Sequence, residues 1–85
     1  MLETVFIVTS IFPDYKHIKA CKDSHIIILT KQKPASLHKS HIEWFHIDEV
    51  HELYAVYKPY KVLINKELMK TNNFIFSDSV VELIK

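Results

Sequence analysis

The sequence predicts a small α/β domain: a mostly parallel sheet of about five strands with helices on its faces. Three observations carry that expectation. Two uninterrupted apolar runs rich in β-branched residues, Thr4-Val5-Phe6-Ile7-Val8-Thr9 and His25-Ile26-Ile27-Ile28-Leu29-Thr30, suit strands covered on both faces. A segment with helix-opening signals lies between them. The chain has 85 residues and 48% hydrophobic composition, enough for one domain with a single core.

The first strand is read as Thr4–Thr9. Pro13 and Asp14 then open a helix that runs to Lys22, with Tyr15, Ile18 and Cys21 or Lys22 at helical spacing, and Asp23-Ser24 ends it. His25–Thr30 is the second strand. Two buried strands joined by a helix make a βαβ unit with a right-handed crossover. Residues 31–41 read as a basic loop. The third strand, Ile42–Ile47, is less uniformly apolar and is expected nearer an edge. Asp48 is expected to cap a helix running to Lys58, with Glu49 and Glu52 in its first turn and Val50, Leu53, Tyr54 and Tyr57 as its core stripe. Pro59 stops it.

Tyr60–Ile64 reads as a fourth strand. Asn65 then caps a short helix, Lys66–Lys70, and Asn72 is its expected left-handed C-cap. Asn73–Ser77 reads as a fifth strand. Asp78–Lys85 reads as a closing helix, with Ser79 and Glu82 at capping-box spacing. Together these elements give a Rossmann-like alternation.

Composition narrows the function. Glycine is absent, which excludes glycine-rich phosphate loops. The net charge is +1 and every basic residue is lysine, so nucleic acid is a disfavoured partner. A single cysteine rules out an intramolecular disulfide and fits a reducing, cytoplasmic location. No apolar run is long enough to span a membrane, and the N-terminus lacks the marks of a signal peptide. The excess of Ile and Lys suggests an AT-rich gene, as in many phages and mobile elements.

Six histidines invite a metal reading, with His38-x-x-His41 and His46-x4-His51 as the closest pairs. One pair lies on a loop and the other straddles a strand-helix junction, so no metal or cofactor site is expected. Ser10 and Cys21 lack a catalytic context, and no catalytic residue is assigned. The strand ends Thr9-Ser10, Thr30-Lys31, Asp48, Asn65 and Ser77-Asp78 could line one rim, although helix capping explains three of them. Lys31, Lys33 and Lys39 are the candidate anion-binding residues.

The aromatic cluster is the stronger signal. Trp44, Phe45, Tyr54, Tyr57 and Tyr60 fall within one short stretch, and Val56 widens the apolar face of its helix. The sequence therefore points to a protein-binding module acting as an inhibitor or regulator of a larger protein. Its expected contact residues are Trp44, Tyr54, Val56, Tyr57 and Tyr60, and a homodimer is an open alternative because a small sheet has exposed edges. The competing reading is the N-terminal α/β lobe of a larger enzyme, inactive alone. The alternation is similar to that of the N-terminal halves of ATP-grasp ligases and of some glycosyltransferases, and the chain ends abruptly at Ile84-Lys85.

Overall fold

A computed structural model describes residues 3–10, 15–32, 42–72 and 74–84. Its strands are β1 (Thr4–Val8), β2 (His25–Thr30), β3 (Ile42–His46), β4 (Lys61–Asn65) and β5 (Val81–Ile84). All pairings are parallel, and the strand order is β3-β2-β1-β4-β5. This is the Rossmann-like α/β sheet that the apolar runs predict. The chain steps outward from β1 to β2 and β3, then returns to place β4 on the other side of β1. The topological switch therefore lies between β1 and β4.

Each central strand is apolar throughout because both faces of the sheet are covered. Val5, Phe6, Ile7 and Val8 of β1 have no exposed surface, nor do Ile26 to Leu29 of β2. Alternation sends Phe6, Val8, Ile27, Leu29, Val62 and Ile64 to one face. Val5, Ile7, Ile26, Ile28 and Leu63 go to the other. Each such aliphatic side chain contributes about 1.5–3 kcal/mol on burial, so the two faces hold most of the driving force.

Helix α1 (Tyr15–Ala20) covers the second face, where Ile18 and Cys21 pack. Helix α2 (Val50–Tyr57) covers the first, where Val50 is buried and Leu53, Tyr54 and Tyr57 pack against the core as their spacing predicts. The short helix α3 (Lys66–Thr71) places Leu68 in that same core. Pro13 and Asp14, the expected openers of α1, lie outside the described residues.

Three local expectations are corrected. First, Asp48 does not cap α2. It sits inside a single 3-10 turn, Ile47–Glu49, whose cap is His46. The His46 Nδ1 accepts from the Asp48 N–H at 3.1 Å, and the Glu49 Oε2 accepts from the His46 N–H at 2.9 Å. Imidazole takes the role usually given to a Ser or Asp oxygen, which is why residue type alone misplaced the start.

Second, Asn72 is extended (φ −128°, ψ 147°) rather than left-handed. The left-handed position is Lys58 (φ 47°, ψ 62°), which ends α2 just before the buried Pro59. Without glycine, a lysine takes this conformation at some cost.

Third, the C-terminal segment is neither the strand 73–77 nor the helix 78–85. Phe74 and Phe76 turn inward onto the core of the first face while Ile75 is 78% exposed, but this extended stretch does not pair with β4. A turn at Ser77–Val80 follows, and the strand forms at Val81–Ile84. Ser79 Oγ bonds Ser77 Oγ at 2.9 Å, and Glu82 pairs with Lys61 at 3.6 Å instead of making a capping box. A two-turn helix is marginal by itself, whereas β4 offers these β-branched residues a full ladder.

Candidate protein-binding surface

The residues that the sequence groups together separate in three dimensions. Trp44 packs beside Ile26, Ile28 and Ile42 on the face covered by α1, opposite α2. The register explains this, because Glu43 and Phe45 take the other face of β3. Tyr54 is an internal strut. Its ring meets Phe6 edge-on at 6.3 Å and Phe76 at 5.1 Å, and its hydroxyl oxygen accepts the Ser77 N–H at 3.1 Å.

Val56 and Tyr57 close α2, and Tyr60 follows three residues after its end. Val56 is 74% exposed and Tyr60 is 47% exposed. Tyr57 is half-buried, with its ring edge-on to His25 at 5.7 Å. His25 Nε2 lies 2.6 Å from Glu43 Oε2, so β2 and β3 are fastened beneath the Tyr57 ring. The Tyr60 N–H donates to the Thr4 carbonyl at 3.0 Å, and its hydroxyl reaches Ser24 Oγ at 3.5 Å. Two tyrosines are thus held by framework contacts at the pole where the strands begin. Rigid, partly exposed aromatics of this kind suit recognition because little side-chain entropy is lost on binding.

The opposite pole carries the carboxyl ends of β1, β2 and β4. The Thr9 N–H donates to the Leu29 carbonyl at 3.0 Å, and Thr30 Oγ1 donates to the Gln32 carbonyl at 2.8 Å. Asn65 Oδ1 accepts from the Glu67 and Leu68 N–H groups, capping α3 as its sequence position predicts. Ser77 and Asp78 do not join this rim, because β5 begins after them and they precede its amino end. Lys31 is exposed at the end of β2, while Lys33 and Lys39 lie outside the described residues. Among the described residues, no group of three or more His, Cys, Asp or Glu side chains is arranged to hold a metal ion.

Cys21 is buried on the second face, and burial pushes its thiol above its ordinary pKa; Lys61 opposes the shift and Glu82 adds to it. The proton is retained at neutral pH, so the thiol is a poor nucleophile. No described helix is long and apolar enough to cross a membrane.

Comparison with protein-family models, with characterised proteins and with solved structures gives no match for this chain.

A shallow cavity of about 180 Å³ opens at the other end of α2. Ile47, Val50 and Phe74 give it apolar walls, and Asp48, His51 and Asn72 are its polar lining. Phe74 is held between His51 (6.1 Å) and Phe76 (5.6 Å), which joins the cavity wall to the ring stack running inward to Phe6. Sequence reasoning missed this cavity. Its walls come from two segments more than twenty positions apart, and the residues around Phe74 read as a strand.

Proposed function

We propose that this chain is a small intracellular binding module that inhibits or regulates a larger protein by occupying one of its surfaces. The observation that carries the reading is the exposure of Val56 and Tyr60 at and just beyond the end of α2, which also carries the framework-held Tyr57. A solvent-facing aliphatic and two positioned aromatics at one end of a helix have the composition of an interface hot spot. Steric occlusion requires no catalytic group. The phage or mobile-element origin suggested by composition fits such a role and stays part of the proposal.

Trp44, on the α1 face, and Tyr54, packed against Phe6 and Phe76, lie apart from this group, so the test is aimed at Val56. The test is capture of a partner from a lysate of the source organism by the wild-type chain and by Val56→Glu. Loss of one stoichiometric partner from the variant supports the reading, and equal capture by both chains overturns it.

The sheet order favours one second reading. The switch between β1 and β4 brings Thr9, Ser10 and Asn65 to the rim where open α/β sheets bind ligands. A lobe of a larger ligase- or transferase-type enzyme would use that rim, at the pole opposite Tyr60.

A further inference from the structure

We infer that the cavity at the start of α2 is a socket for one lysine or arginine side chain of a polypeptide partner. The inference rests on the proposed binding role and adds the chemistry of the anchor. Size sets the first limit. Small-molecule sites usually span roughly 300–1,000 Å³, whereas a space of roughly 150 Å³ takes a benzene-sized group. At about 180 Å³ the cavity accepts a single long side chain. Its apolar walls, Ile47, Val50 and Phe74, match a methylene stem.

Charge sets the second limit. Segment 42–57 contains Glu43, Asp48, Glu49 and Glu52 and no lysine, in a chain whose net charge is +1. Asp48 lines the cavity with an 86% exposed side chain. Its carboxylate Oδ2 lies 3.3 Å from His46 Nδ1, yet that nitrogen already accepts the Asp48 N–H at 3.1 Å. With 86% of its side chain exposed, the Asp48 carboxylate is open to an incoming ammonium or guanidinium. Asn72 uses its Nδ2 on the Leu68 carbonyl and on Thr71 Oγ1, leaving its Oδ1 as an acceptor at the same cavity.

The test needs no identified partner. Blocked tripeptides with central arginine, citrulline or leucine are titrated into the isotopically labelled protein, and backbone amide shifts are followed. The arginine peptide is expected to give saturable shifts at Val50, His51 and Phe74. The uncharged citrulline peptide, and the arginine peptide against Asp48→Asn, are each expected to bind about fivefold more weakly, the scale of one exposed ion pair. Equal affinity of the arginine and citrulline peptides, or arginine shifts confined to other residues, overturns the socket. Asp48 is exposed, so an unchanged melting temperature is expected for Asp48→Asn. Failure here with Val56-dependent partner capture intact would remove the socket alone; loss of that capture would instead remove the binding role.

Discussion

At the scale of single residues, the caps decide where helices begin. Asn65 was legible as a cap because short oxygen-bearing side chains satisfy the first free N–H groups, and its Oδ1 meets two of them at 2.9 and 3.3 Å. Asn65→Ala should therefore lower stability by about 1 kcal/mol in urea unfolding, and Asn65→Ser should restore most of it. His46 was not legible, since an imidazole rarely fills that position and its role depends on the geometry of the turn after β3. Cys21 gives a pH dependence whose sign follows from burial. The folded thiol keeps its proton at alkaline pH values where the unfolded thiol has lost it. Its contribution is constant below the ordinary thiol range, and stability should fall as pH rises through that range. Urea unfolding of wild type and Cys21→Ala across the same pH series isolates this effect, and the variant should lack the additional decline.

At the scale of elements, uniform runs were readable and mixed ones were not. Thr4–Val8 and His25–Thr30 have one physical solution, because a strand so apolar must be covered on both faces. Residues 73–85 had several. Phe74, Ile75 and Phe76 read as a strand, yet only Phe74 and Phe76 pack on the first face, the segment does not pair with β4, and Val81–Ile84 takes that ladder. Short apolar stretches do not reveal which of two neighbours will pair, since that depends on the length of the connection and the space left by α3. The arrangement is testable by substitution. Phe76→Ala removes a ring packed on Tyr54 and Phe74 and should cost about 2–3 kcal/mol, somewhat less than a fully buried phenylalanine. Ile75→Ala should stay within about 0.5 kcal/mol, because that side chain faces solvent. Denaturant midpoints of the two variants check both values, and similar losses would contradict the inward-outward alternation.

At the scale of the whole molecule, sheet topology sorts the aromatic segment into distinct roles. The sequence placed Trp44, Tyr54, Val56, Tyr57 and Tyr60 in one cluster, but parallel pairing sends Trp44 to the α1 face, and α2 packs Tyr54 against the core. Linear proximity could not show this, because the face of each β3 residue is fixed by its register with β2. The outer face and end of α2 remain, with the Val56–Tyr57–Tyr60 surface at one end and the Asp48 cavity at the other. The sheet also leaves β3 and β5 as its outer strands among the described residues. The claim that α2 carries the recognition surface is tested most directly by comparing partner capture for the wild type, Val56→Glu and Ile75→Glu. Both altered positions are exposed aliphatics, so the two variants make the same chemical change at separate places. The expected result is one stoichiometric partner retained by the wild type and Ile75→Glu and lost by Val56→Glu, with all three chains equally folded by circular dichroism. Equal retention by Val56→Glu, or recovery of the folded wild-type chain alone, would contradict the account and direct attention to the Thr9–Ser10–Asn65 rim.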